Sequence, residues 1–150
     1  MTRFCNGPHN RRMALLPSTV VGVLLAAGAG RWYGKPKVLV DGWLDTAVGA
    51  LRDGGCNDVI LVLGAVEVSA PAGVTAITAP DWQQGLSASV RAGLAQADRE
   101  HADYAVLHVI DTPDVNAKVV ARVLGRALVS RSGLAGRGRI PAHSARRRGC

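Results

Sequence analysis

Residues 20–30, VVGVLLAAGAG, run directly into residues 31–37, RWYGKPK, and the reading of this stretch decides the fold. A short, continuous run rich in Val and Leu and bounded by glycine is the pattern of a strand buried on both faces of a parallel sheet. Residues 20–26 are therefore expected to form a strand, with Gly28 and Gly30 breaking it at the carboxyl end. Small residues there let backbone N–H groups approach a phosphate chain closely. Arg31, Lys35 and Lys37 bring positive charge to the same place.

Working outward, strands and helices alternate. Residues 43–52 form an amphipathic helix, with Leu44, Val48 and Leu51 at i, i+4 and i+7 and Gly54-Gly55 as its stop. VILVL at 59–63 is a second buried strand and 74–78 a shorter third. A helix over 86–97 turns Leu86, Val90, Gly93 and Leu94 to one side; a strand over 104–110 then delivers Asp111 at its carboxyl end. A last amphipathic helix covers 117–128. This alternation predicts an α/β fold, an open, mainly parallel, Rossmann-like sheet with helices on both faces. Ligands of such sheets gather at the carboxyl ends of the strands, and the Gly28 loop and Asp111 both stand there.

The net charge of +7 over 150 residues first suggests a nucleic-acid binder. Residues 1–19, however, hold three Arg and no acid, and residues 131–150 hold six Arg and no acid, which leaves 20–130 at −2. The basicity belongs to the two ends; a basic folded face, the mark of specific nucleic-acid binding, is not indicated. The expected organisation is a disordered basic leader over 1–19, one domain over 20–130 and a disordered Arg/Gly-rich tail over 131–150. Met13 is the expected natural start. Cys5, Cys56 and Cys150 are odd in number and widely spaced, which suggests neither a disulfide framework nor a zinc site and fits a reducing cytoplasm. No apolar run reaches the roughly 18 residues that span a bilayer. Arg11-Arg12 and the apolar run that follows imitate a signal peptide, but cleavage there would remove the first strand and its loop.

Known phosphate-binding fingerprints fail on spacing. A GxGxxG motif would need glycine at Tyr33. Gly28 and Gly34 stand one residue too far apart for a P-loop, and Pro36 replaces its hydroxyl. Asp111 follows an apolar strand and could hold a hard cation between two phosphates, or cap a turn before Pro113. Ser87 could cap the helix that begins near Gly85. His108 alternates with core residues and reads as a hydrogen-bonded core histidine, His101 as exposed, and neither forms a triad with Ser and Asp.

Three segments in order carry a resemblance: Leu25-Ala26-Ala27-Gly28 followed after five residues by Gly34-Lys35-Pro36-Lys37; Asp81-Trp82-Gln83-Gln84-Gly85-Leu86-Ser87-Ala88-Ser89; and Ile110-Asp111-Thr112-Pro113. Together they resemble the MobA-like nucleotidyltransferases, over about residues 20–128. The resemblance implies a fold of the nucleotide-diphospho-sugar transferase type. It also implies transfer of a nucleoside monophosphate to a phosphorylated small molecule such as molybdopterin, with release of pyrophosphate. Ala26-Ala27-Gly28 and Pro36-Lys37 lean to the cytidylyltransferase branch, and so to CTP.

By the same resemblance, Leu25, Ala26, Ala27, Gly28, Ala29, Gly30, Arg31 and Lys37 bind the triphosphate, and Gly85 and Ser89 lie against base and ribose. Asp111 would hold magnesium and, with Lys37, act in catalysis. Trp82 reads as a packing residue. Trp32 departs from the pattern by standing where the family places an arginine, and Ala79 where many members carry asparagine. Past residue 130 the family continues with further strands and helices, and this chain is expected to be cut short or altered there. The last acidic residue is Asp114, so no later carboxylate is left to ligate metal. A catalytically impaired nucleotide-binding remnant is therefore an alternative reading, and a polyanion binder acting through the basic ends a further one.

Overall fold

Every residue of β1 (Val20–Leu25) is buried, as a strand in the middle of a sheet requires. The structure, a computed structural model, describes residues 18–28 and 37–129. Among these, β1, β2 (Asp58–Leu63), β3 (Val74–Thr78) and β4 (Tyr104–Val109) form one sheet in the order β3-β2-β1-β4. All three pairings are parallel, with Leu24 opposite Leu61 on one side and His108 on the other. Helix α1 (Trp43–Asp53) follows β1, α2 (Leu86–Arg99) leads from β3 across to β4, and α3 (Ala117–Val129) follows β4. Two single 3-10 turns, Lys37–Leu39 and Trp82–Gln84, are not legible in the periodicity.

Alternation along the strands divides the core. Val20, Leu24, Val59, Leu61 and Leu63 pack with Ala47, Val48 and Leu51 of α1 and with Val120 and Leu124 of α3. Val21, Val23, Leu25, Ile60 and Val62 face the other way, toward α2 and its Ala97. Helices therefore cover both faces, and the expected α/β architecture is what forms. Burying one such Val, Leu or Ile contributes roughly 1.5–3 kcal/mol, so these strands hold most of the apolar stabilisation.

The helix ends follow from local hydrogen bonding. At the end of α1, Cys56 N–H donates to Leu51 O (3.0 Å) and Gly55 N–H to Arg52 O (3.1 Å), with Gly55 at φ 114°. This Schellman closure is the stop that Gly54-Gly55 predicts. The end of α2 closes the same way, Ala102 N–H to Ala97 O (3.1 Å) and His101 N–H to Asp98 O (3.0 Å), but the left-handed position at φ 55° is filled by His101.

Two expectations need correction. The face of α2 that packs on the sheet carries Ala88, Ser89, Gly93 and Ala97, while Leu86 is 57% exposed. Helix and sheet approach so closely that a Cβ at Gly93 would overlap Val23 Cγ1, and small residues are what fit there. His108 is buried as expected, yet among the described residues neither ring nitrogen has a hydrogen-bond partner. The basic ends, beyond residues 18, 19 and 129, lie outside the described residues, as does the segment 29–36.

Candidate active site

The four strands run in the same direction, so their carboxyl ends form one rim, and hydrogen bonds fix which residues meet there. Past the end of β1, Ala26 N–H donates to Val62 O (2.9 Å). From β4, Ile110 N–H donates to Leu25 O (3.1 Å), which sets Asp111 beside the Ala26 turn. From β3, Ala79 N–H donates to Leu63 O (2.8 Å) and carries the chain into the Trp82–Gln84 turn. Trp82 packs over the end of β2, where a Cβ on Gly64 would lie 2.7 Å from both Trp82 Cγ and Ala27 O. The described parts of these segments, Leu25–Gly28, the stretch 81–89 and Ile110–Pro113, thus lie along one rim.

Leu25, Ala26 and Ala27 are buried, and Gly28 is exposed with open space where a side chain would stand. With Ala26 N–H taken by Val62 O, Gly28 is the first residue after the strand to open onto the rim. Lys37 opens a 3-10 turn whose next residue, Val38, is buried in the α1 core. The Lys37 side chain, and Ala29, Gly30, Arg31 and Trp32 entirely, fall outside the described residues.

Gly85 leads into α2 with φ 104°, a backbone conformation that glycine adopts freely and other residues resist. No side chain caps this helix, Ser87 included, so the expected serine cap does not form. In the first turn of α2 Ala88 N–H donates to Gly85 O (3.2 Å), and the helix N-terminus carries the positive end of the helix dipole. Ser89 lies one turn in and is 2% exposed, against the sheet side of the helix. Trp82 is partly buried against the apolar layer between the sheet and α2, the structural role the sequence suggests.

Asp111 is exposed at the end of β4. Among the described residues no group of three or more His, Cys, Asp or Glu could by itself hold a metal ion. A site that takes substrate phosphates as ligands needs only one or two protein carboxylates to hold a hard divalent cation. Asp114 is also exposed, in the turn after Pro113. His108 stands opposite Leu24, near the carboxyl end of β4. Burial pushes its pKa down from 6.5, and a backbone contact with Thr112 offsets part of that. Burial also lifts the Cys56 thiol to about 11, so it remains protonated and unreactive.

A family model described as the MobA-like NTP transferase domain matches residues 22–146. Nicotine blue oxidoreductase of Paenarthrobacter nicotinovorans is 34% identical over 115 residues, which cover 70% of this chain and 55% of that protein. The crystal structure of Rv0371c from Mycobacterium tuberculosis H37Rv superposes with a TM-score of 0.64 at 27% identity, covering 76% of this chain and 63% of that one. The manganese complex of Rv0371c gives 0.59 at 25% identity, with 75% and 61% covered. A nucleotidyl transferase from Methanothermobacter thermautotroptrophicus shares the fold, with a TM-score of 0.56 at 19% identity over 73% of this chain and 58% of that one. The chain spans less than two thirds of the length of each of these relatives.

Proposed function

Because the chain belongs to the MobA-like NTP transferase family, we propose that its rim binds a nucleoside triphosphate and transfers the nucleoside monophosphate to a phosphorylated small molecule. The observation that supports this reading is the Ile110 N–H to Leu25 O bond, which brings the main chain of Asp111 beside the Ala26–Gly28 segment. Backbone N–H groups of that segment and of the α2 N-terminus would hold the triphosphate; Arg31 and Lys37 would offset its charge. Gly85 and Ser89 would border base and ribose. Asp111 would hold a divalent cation, magnesium in the cell, which shields phosphate charge as the pentavalent centre forms. Support for a divalent ion comes from the manganese complex of Rv0371c.

In the transfer, an oxygen of the acceptor phosphate attacks the α-phosphorus. The bond from that phosphorus to the bridging oxygen of the β-phosphate breaks, and pyrophosphate leaves. No side chain needs to act as nucleophile; the rim positions the reactants and stabilises charge. CTP is the expected donor and molybdopterin, or another small phosphate ester, the expected acceptor. Free Cys56 fits a reducing compartment, and the reading places the protein in the cytoplasm. No helix among the described residues is long and apolar enough to cross a membrane.

The test is incubation with CTP labelled at the α-phosphate, magnesium and molybdopterin. Labelled product should form, and D111N should slow it at least about 100-fold. Binding of CTP with no transfer to any phosphorylated acceptor would support the impaired remnant instead. A second reading rests on the curated relative named an oxidoreductase. On it, the same rim would serve a redox reaction, and reduction of nicotine blue by an added two-electron donor, without nucleotidyl transfer, would distinguish it.

A further inference from the structure

A groove of about 330 Å³ runs between the end of β3 and the flank of α2, apart from the Ala26–Gly28 turn and Asp111. Its floor is apolar, formed by Ile77, Pro80, Ala92 and Ala95. Arg91 and Arg99 line it from α2, both exposed. Arg99 donates only to the neutral Gln96 Oε1 (3.1 Å), and the Arg91 side chain has no hydrogen bond or ion pair among the described residues. Asp81 lines the same groove, yet neither arginine is paired with it.

The groove borders an unprotected sheet edge. Among the described residues β3 pairs with β2 alone, leaving its outer row of N–H and C=O groups without a strand. Edge strands are ordinarily blunted by charge, proline or a bulge. The strand VTAIT has no charge and no proline across its five residues. Such an edge accepts an added strand, with affinity from main-chain hydrogen bonds and selectivity from the side-chain pockets beside it.

We propose that the β3 edge and the Arg91–Arg99 groove together form a docking site for an extended acidic segment of another protein. Eight helical residues separate the two arginines, or about 12 Å along the axis. Carboxylates four residues apart on one face of a strand stand about 13 Å apart, a matching interval. An apolar residue between them would meet Ile77 and Ala95. Charge excludes the chain's own undescribed segments, because residues 1–17 and 130–150 contain no acid and 29–36 contain only basic charges.

The probe is a fluorescent seven-residue strand-forming peptide with Glu at positions two and six and Val at four, titrated with the full chain by anisotropy. Saturable binding is expected, weakened tenfold or more by Glu-to-Gln exchange in the peptide or by the double variant R91Q/R99Q. Circular dichroism should show the double variant folded, since both side chains are exposed. N-methylation of alternate peptide nitrogens should abolish binding by removing strand pairing. No binding at 1 mM peptide, equal binding by the arginine variant, or equal binding of the N-methylated peptide would each overturn the proposal.

Discussion

His108 is the residue whose environment is least expected from its type. A ring with both nitrogens buried and unpartnered costs desolvation that a hydrocarbon side chain would not. His108→Leu should therefore stabilise the protein by about 1 kcal/mol or more, raising Tm by a few degrees in calorimetry. Because burial lowers its pKa, protons favour the unfolded chain. The stability associated with the neutral ring is complete above the unfolded value of 6.5 and is lost as pH falls through the lower folded value. The wild-type chain should lose more Tm than H108L between pH 7 and pH 5. Gly93 gives the opposite case. A Cβ there would overlap Val23 Cγ1 and lie 3.1 Å from Val62 Cγ2, two buried strand residues with nowhere to move. Gly93→Ala should cost about 1–3 kcal/mol, read as a lower urea midpoint with an unchanged slope.

Elements were legible where large apolar residues mark the buried side. All four strands are β-branched or Leu-rich runs that stand within a residue or so of their expected bounds, and α1 turns inward the Val48 and Leu51 that its spacing selects. The packing face of α2 was read in part: Val90 and Gly93 pack toward the sheet as expected, while Leu86 does not, for a physical reason. Hydrophobicity weights Leu86, whereas close packing on Val23 and Val62 selects Ala, Ser and Gly, which carry little hydrophobic signal. Serine before a helix suggests a cap from sequence, but whether it bends back depends on the preceding backbone, here set by Gly85 at φ 104°. Gly85→Ala strains that entry by about 1–2 kcal/mol. It should lower Tm and weaken nucleotide binding together, measurable by calorimetry with and without CTP. At the other end of α2, His101 occupies a left-handed position that glycine fills without strain, and His101→Gly should raise Tm by a degree or more.

For the whole molecule, the net charge of +7 and the charge of its regions differ. The +7 arises from ends that lie outside the described residues, while the domain between them is an ordinary α/β sheet. Of the candidate site, only the placement of residues 25–28, 81–89 and 110–113 at one rim was legible, because parallel strand direction alone brings these ends together. Arg31 and the Lys37 side chain lie outside the described residues. The central claim is that this rim binds a magnesium–nucleotide complex. A thermal melt of the purified chain, alone and with magnesium plus CTP, GTP or ATP at about 100 times the dissociation constant, tests it most directly. Binding to the native state alone should add about 2.7 kcal/mol. The account predicts a cooperative transition raised by several degrees, most by CTP, and a shift largely lost in D111N. A cooperative melt that no nucleotide moves would contradict it.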